Sequence, residues 1–535
     1  MNSGADRRWL RAVALLGALV LLDASVTFQN VWPTPAVRWR GELSVELAVV
    51  ALVIAMASRW RGPLSRSVVR WLGVVWVLLV VGRYVDVTTP ALYGREVNLY
   101  WDLRFIPDVA AMLVRAAPTR LVVAALATAV LVFGLTYWLM RWGVSQLGRA
   151  AADPRERRWL TVFAGLLIVI FLGQKLGALP PETPTFPAPV SHTYLRQAQL
   201  LVNALSRTGS LAASPSMDSD LALLNGADVL LVFIESYGAV TYDDPTFATR
   251  LDRDRTQLER DVRETGRQVV SAFVVSPTFG GSSWLAHITL MSGIDVRDPQ
   301  TNALLMTQNR DTMVGTFARH GYRTIAWMPG LWYPWPEGSF YKFDDIIGGP
   351  RFDYHGPPFG WWDIPDQVAF ARLDAVETDK PSRAPLFVFF PTISTHTPFT
   401  PTPPYQPDWD RLLRPHPFDK EPLAESYDET ADWLNLGPGY VKAVSYTLRT
   451  IGGYLRTRQG RDFVMILVGD HQPPAAVSGE GAPWDVPIHV IASRQDILER
   501  LQAHGFQAGL RPARKPIGPM HELLPILLGS FGSYH

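Results

Sequence analysis

The chain has 535 residues and a formal net charge of +1, which excludes nucleic-acid binding driven by bulk charge and exceeds the length of one ordinary domain. It contains no cysteine, which excludes disulfides, thiolate nucleophiles and cysteine-based metal sites. The hydrophobic fraction of 48% averages a strongly apolar first third with a remainder of soluble character.

Five apolar segments fall in residues 1–180: Trp9–Phe28, Leu43–Ser58, Trp71–Val87, Leu121–Met140 and Trp159–Leu179. A spanning helix needs about 20 apolar residues, with a range of roughly 17–25. The second segment is the shortest. The first has no small-x-small cleavage pattern behind it and is read as an uncleaved helix rather than a signal peptide. The densest arginine clusters fall in alternate connections. Arg7, Arg8 and Arg11 stand at the start of the first segment, Arg59, Arg61, Arg66 and Arg70 separate the second and third, and Arg141, Arg149, Arg155, Arg157 and Arg158 separate the fourth and fifth. By the positive-inside rule these face the cytoplasm, so five spans leave everything after Leu179 outside it. Asp23, Glu46, Arg83 and Asp86 then lie near the outer helix ends. Two readings stay open for them: ordinary interfacial placement, or a polar mouth that guides a lipid headgroup. The segment from about Thr88 to Thr119 is expected along the outer surface.

Residues 181–225 form a linker. Pro180-Pro-Glu-Thr-Pro-Thr-Phe-Pro-Ala-Pro189 is proline-dense and semi-rigid, and His192 to Leu211 reads as helical.

Residues 226–535 alternate short apolar runs with helical stretches. Strands are expected at Val229–Ile234, Val269–Val275, Thr324–Met328, Leu386–Phe390, Phe463–Val468 and Pro487–Ala492. Helices are expected at Asp244–Thr265, Asn302–His320, Pro365–Val376, Tyr440–Arg456 and Arg494–His504. This alternation predicts a mostly parallel sheet covered on both faces, with chemistry beyond the carboxyl ends of its strands. Polar groups follow four strands there: Glu235; Gly280, Gly281, Ser282 and Ser283; Thr395, His396 and Thr397; and Gly469, Asp470 and His471. Either serine serves as a helix N-cap, or one of them is a nucleophile at an anion-binding helix terminus. Two carboxylates, an imidazole and a serine oxygen form an oxygen and nitrogen donor set suited to zinc, manganese or magnesium. Such an ion lowers the pKa of a bound hydroxyl and makes it a nucleophile.

On these residues the chain resembles the alkaline phosphatase/sulfatase superfamily. Within it, the chain is similar to membrane-anchored lipoteichoic-acid synthases and to phosphoglycerol and phosphoethanolamine transferases. The motifs that carry the likeness are Val232-Phe-Ile-Glu-Ser236, Ser283 to Gly293, Thr395-His-Thr-Pro-Phe399 and Val468-Gly-Asp-His-Gln472. The resemblance implies a multi-pass α-helical membrane domain joined to an α/β sulfatase-like catalytic domain outside the bacterial cytoplasmic membrane. It implies at least one divalent metal ion held by Glu235, Ser283, Asp470 and His471, with Ser283 also the nucleophile. It implies His396 and Trp335 as substrate contacts, a phospholipid donor, and a glycan or lipid acceptor. Sulfatases place the nucleophile ten residues before a glycine, and counting back from Gly293 selects Ser283 over Ser282.

The chain also departs from the family. Serine stands where the transferases usually carry threonine. Leu285 and His287 replace the sulfatase proline and arginine, which argues against formylglycine and sulfate-ester hydrolysis. Met328 stands where a histidine is common, and Glu337 where a phosphoglycerol-binding arginine would follow Trp335. His287, one helical turn beyond Ser283, either lines the site or is a buried structural histidine. The reading that leads is transfer of a phosphorus-containing headgroup through a Ser283 adduct. A phosphomonoesterase or phosphodiesterase is the alternative, and a non-catalytic envelope assembly protein a third.

Overall fold

The computed structural model describes residues 3–39, 41–107, 110–111, 114, 119–179, 186–206, 211–360 and 363–533. The chain forms two compact units, one of Met1–Leu92 with Glu96–Ser206 and one of Tyr93–Arg95 with Arg207–His535.

The first unit is helical. Its long helices are α1 (Ser3–Thr27), α2 (Val45–Arg61), α3 (Arg66–Tyr93), α4 (Thr119–Ala152) and α5 (Pro154–Lys175). Four of these contain stretches long and apolar enough to cross a membrane: Trp9–Thr27, Arg66–Tyr93, Thr119–Ala152 and Pro154–Lys175. The helix α2 has 17 residues, about 25 Å at 1.5 Å per residue, just under the bilayer's apolar thickness. Asp153 starts α5 by accepting the Arg155 and Glu156 N–H groups, and proline follows at its first position. The helix α6 (Pro189–Ser206) corresponds to the expected linker helix and belongs to this unit. Most of the proline run, residues 180–185, lies outside the described residues.

Asp23, Glu46, Arg83 and Asp86 have a use in holding the unit together. Asp86 binds Arg196 at 2.6 Å and the Thr193 hydroxyl at 2.8 Å, both on α6. Glu46 accepts the Ser191 N–H in the first turn of α6 at 2.5 Å. Asp23 accepts the Ser44 N–H at 2.7 Å, and Arg83 donates to the Phe28 carbonyl at 3.2 Å. These charges fasten α6 and the loops to α1, α2 and α3. Neither open reading of the charges anticipated this clamp.

The second unit is built on an eight-stranded sheet. Its strands are β1 (Asp228–Ile234), β2 (Gln268–Val275), β3 (Arg323–Met328), β4 (Asp345–Gly348), β5 (Leu386–Pro391), β6 (Phe463–Gly469), β7 (Asp485–Ala492) and β8 (Gln507–Ala508), in the order β8-β2-β7-β6-β1-β5-β3-β4. The pairs β6–β1, β1–β5, β5–β3 and β3–β4 are parallel, while β7 runs antiparallel to both β6 and β2. Two antiparallel steps leave β2 pointing the same way as β1 and β6, so their carboxyl ends share one edge. Successive β1 residues face opposite sides of the sheet. Leu231 and Phe233 enter one core, and Leu230, Val232 and Ile234 the other. Both faces are covered, which is why β1 reads as a continuous apolar run.

The expected helix Asn302–His320 is two helices, Pro299–Met306 and Met313–Arg319. Each has its own cap. Asp298 accepts the Gln300 and Thr301 N–H groups, and the Thr312 hydroxyl accepts that of Gly315.

Candidate active site

The register of β1 decides where Glu235 sits. Ile234 pairs with Gly469 on β6, and Phe233 with Pro391 on β5. Glu235 therefore emerges between Asp470 on one side and Thr392 on the other, and its N–H donates to the Thr392 hydroxyl at 3.2 Å. The Thr395 hydroxyl donates to the Glu235 carbonyl at 2.5 Å. From the neighbouring region of the same edge, β2 leads through Gly280 and Gly281 to a helix at Ser283–Ser292.

Three consecutive residues make that turn with positive φ: Gly280 at 64°, Gly281 at 143° and Ser282 at 63°. Glycine tolerates this region freely, and Ser282 enters it at a cost of order 1 kcal/mol. Ser282 occupies the cap position but makes no side-chain cap hydrogen bond. Ser283 is the first helical residue, and its hydroxyl turns away from the backbone. It donates to Glu235 Oε2 at 2.8 Å and lies 3.2 Å from His471 Nε2. The N-cap expectation thus fails for both serines, because the turn aims Ser283 at the strand ends instead.

The buried residues Glu235, Asp470 and His471 present ligand atoms within 4.8 Å of one another. His471 Nε2 lies 3.4 Å from Glu235 Oε1 and 3.7 Å from Asp470 Oδ2. Its Nδ1–H donates to the Gln472 carbonyl at 2.7 Å. This bond sets the ring so that the Nε2 lone pair faces the carboxylates. Burial opposes the imidazolium, yet Asp470 and Glu235 outweigh it and push His471 up to about 9. Burial, followed by repulsion from Glu235, raises Asp470 well above the carboxylate range. At Glu235 burial is outweighed by His471, which lowers the carboxyl. Two buried carboxylates thus compete for one positive group. A divalent cation would satisfy both while accepting the Nε2 and Ser283 oxygen lone pairs, so this donor set fits such an ion.

One residue ties the set together and carried no signal beyond following Glu235. Ser236 has φ of 54°. Its N–H donates to Asp470 Oδ1 at 2.8 Å and its hydroxyl to Glu235 Oε1 at 3.0 Å. Tyr440, fully buried, donates to the Ser236 carbonyl at 2.8 Å. Asp366 was also missed. It accepts the Ile393 and Ser394 N–H groups at 2.8 and 3.1 Å and so fixes the loop that carries Thr395 and His396.

The remaining expected residues separate. His396 is half-buried and close enough to Glu235 to lower its pKa. Its Nδ1–H donates to the Thr397 carbonyl at 2.7 Å. His287 lies between the rings of Phe233 and Phe389, with centroids 4.5 and 5.2 Å away. Burial holds it at about 3, hence neutral, and its buried Nε2 has no hydrogen-bond partner. This is the environment of the structural alternative. Trp335 packs against Tyr341, with centroids 5.5 Å apart, and no hydrogen bond or ring contact among the described residues joins it to the cluster. Trp361 and Trp362, from the family-like segment Gly360–Pro365, lie outside the described residues.

Residues 296–489 match the family model for sulfatases. None of the curated proteins matches the chain. Among solved structures, the chain is similar to EptA, an integral-membrane lipooligosaccharide phosphoethanolamine transferase from Neisseria meningitidis. The identity is 12% and the TM-score 0.50, over 91% of this chain and 87% of that one. It also resembles the lipoteichoic acid synthase LtaP from Listeria monocytogenes, at 13% identity and TM-score 0.35, over 62% of this chain and 80% of that one. A protein of the alkaline phosphatase superfamily from Vibrio parahaemolyticus matches at 15% identity and TM-score 0.39, over 63% of this chain and 75% of that one. At 12% identity the likeness to EptA is one of fold. The second unit thus contains the stretch that matches the sulfatase family model, in a chain whose fold is similar to that of a membrane-integral relative.

Proposed function

We propose that the chain is a membrane-bound, metal-dependent phosphotransferase. It moves a headgroup of phosphoglycerol or phosphoethanolamine type from a phospholipid to a glycan or lipid acceptor through a covalent Ser283 intermediate. The observation that carries this reading is the Ser283 hydroxyl, held at a helix N-terminus 2.8 Å from Glu235 and 3.2 Å from His471. Counting the short α2 as a fifth span beside the four long apolar helices, with the arginine-rich connections in the cytoplasm, supports a catalytic domain outside the bacterial cytoplasmic membrane.

Glu235, Asp470, His471 and Ser283 would hold the cation. When bound, it supplies Lewis acidity that makes the Ser283 hydroxyl reactive as an alkoxide at neutral pH. Ser283 Oγ then bonds to phosphorus, and the bond from phosphorus to the diacylglycerol oxygen breaks. The departing oxygen takes a proton from His396, whose Nδ1–H is engaged by Thr397, so the transfer runs through Nε2. The backbone N–H groups at the start of the helix Ser283–Ser292 face the phosphoryl oxygens and stabilise their charge. In the second half, the acceptor hydroxyl gives its proton back to His396 and attacks phosphorus, and Ser283 Oγ leaves. The cycle starts with the Ser283 proton released to solvent on cation binding and a proton on His396 Nε2; both states are regenerated when Ser283 Oγ leaves, so atoms and charge balance over the two halves.

The test is mass spectrometry of the Ser283 peptide after incubation with defined phospholipids. An added phosphoethanolamine or phosphoglycerol mass is expected, and it vanishes with turnover in Ser283→Ala. Full activity of that variant refutes the mechanism. Absence of an adduct with every phospholipid, together with hydrolysis of soluble phosphate esters, favours the phosphatase alternative.

A further inference from the structure

The first unit contains a cavity of about 820 Å³ that the chemistry of the second unit does not use. It lies where α1, the α2–α3 turn, α4 and the start of α5 meet. Its size is within the range of small-molecule sites, about 300–1,000 Å³. Arg11, Arg66, Arg141 and Arg149 line it, and among the described residues none of these four guanidiniums forms an ion pair. Two carboxylates share the wall, Asp153 and Glu156. Asp153 is already engaged, accepting backbone N–H groups at 2.8 and 3.2 Å. Four guanidiniums against two carboxylates leave the wall electropositive.

A second, independent observation places this cavity at a bilayer surface. Trp9, Trp60, Trp71, Trp138 and Trp159, one from each long helix, are each at least 60% exposed. All five sit beside the arginine clusters. A girdle of exposed indoles flanked by arginines marks the level where headgroups meet acyl chains. Trp138 also lines the cavity, as do the apolar Leu15, Leu64 and Val69. The cavity therefore offers cations for a phosphate and an apolar wall for the chains attached to it.

We propose that this cavity binds the phosphodiester headgroup of an anionic phospholipid in the cytoplasmic leaflet. Guanidiniums match phosphate oxygens in planar, bidentate fashion, and basic pockets between helices on the cytoplasmic side suit acidic headgroups. A zwitterionic lipid carries the same phosphate but brings its own cation into an electropositive wall, and binds less well. The proposal rests on membrane placement of the first unit, and not on the reaction assigned to the second.

The experiment is native mass spectrometry of the full chain in detergent. Phosphatidylglycerol, phosphatidylcholine with the same acyl chains, and sn-glycerol 3-phosphate are added in parallel. The expected result is one phosphatidylglycerol retained at least tenfold more tightly than phosphatidylcholine, and not displaced by equimolar glycerol phosphate. Arg66→Gln with Arg141→Gln should weaken it at least tenfold and remove one bound lipid per chain. Any lipid held by the second unit is untouched by these changes. Because loss of arginines can disturb insertion, Ser145→Trp serves as a second variant. It narrows the cavity without altering charge and should weaken binding of the same lipid. Equal retention of both lipids, or unchanged retention in well-folded variants, overturns the proposal. Displacement by equimolar glycerol phosphate assigns the site to a soluble phosphate and overturns the lipid assignment.

Discussion

Asp366→Asn separates two contributions that one buried carboxylate makes. Asp366 is fully buried and accepts the N–H groups of Ile393 and Ser394. Asparagine offers one acceptor oxygen and turns an amide N–H toward the other donor. One backbone N–H is orphaned, at about 1–3 kcal/mol independent of pH. The second contribution depends on pH. Burial raises the Asp366 carboxyl from 3.8 to about 6, against the two backbone hydrogen bonds. Between those values the folded chain keeps a proton that the unfolded chain has released. Stability from this group is fully present below about pH 4 and is lost as pH rises through about 6. A shift of about 2 pKa units corresponds to about 3 kcal/mol. Asparagine does not titrate, so the stability gap between wild type and variant should narrow by up to about 3 kcal/mol from pH 4 to pH 7. Urea unfolding of the second unit, followed by tryptophan fluorescence across that range, measures the gap. A gap constant with pH refutes the assigned cause. Turnover should fall as well, because the same bonds fix the loop bearing His396.

Other outcomes follow from the same geometry. Chelation should abolish turnover, with manganese or zinc restoring it, and Asp470→Asn should retain less metal by elemental analysis; metal-independent turnover would contradict the proposed centre. His287→Leu removes an unpartnered buried nitrogen, so stability should hold or rise and kcat/KM should stay within about threefold of wild type. A tenfold loss would instead place His287 on the substrate. Gly293→Ala should lower the unfolding free energy by roughly 1–3 kcal/mol. Gly293 has φ of 67°, and an added Cβ would fall 2.4 Å from Pro215. An unchanged unfolding midpoint would show that the helix end relaxes freely.

Much of the second unit was legible because its strands are buried on both faces. Six strands stand within two residues of their expected positions, since a run such as Val229–Ile234 has no other stable use. The two that were missed, β4 and β8, are short and lie at the sheet's edges, where one neighbour supplies half the burial. The helix Asn302–His320 was read as one because apolar spacing outweighed the caps at Asp298 and Thr312. Glu235, Ser283, Asp470 and His471 were visible as polar groups at strand ends. Ser236, Asp366 and Tyr440 were not, because their roles depend on hydrogen bonds across 27 to 234 residues of chain.

The apolar segments, the alternation of strands and helices, and the residue types available for chemistry can all be read along the chain. These follow from periodicity and composition, which are local. Folding was needed to show that β1, β2 and β6 end at one edge, that Ser283 turns toward Glu235 and His471 rather than capping its helix, and that His287 packs among phenylalanine rings. The same holds for the clamp of Asp86 and Glu46 on α6 and for the four arginines that share one cavity. Those outcomes depend on register and side-chain direction between segments far apart in the chain, which no local pattern encodes.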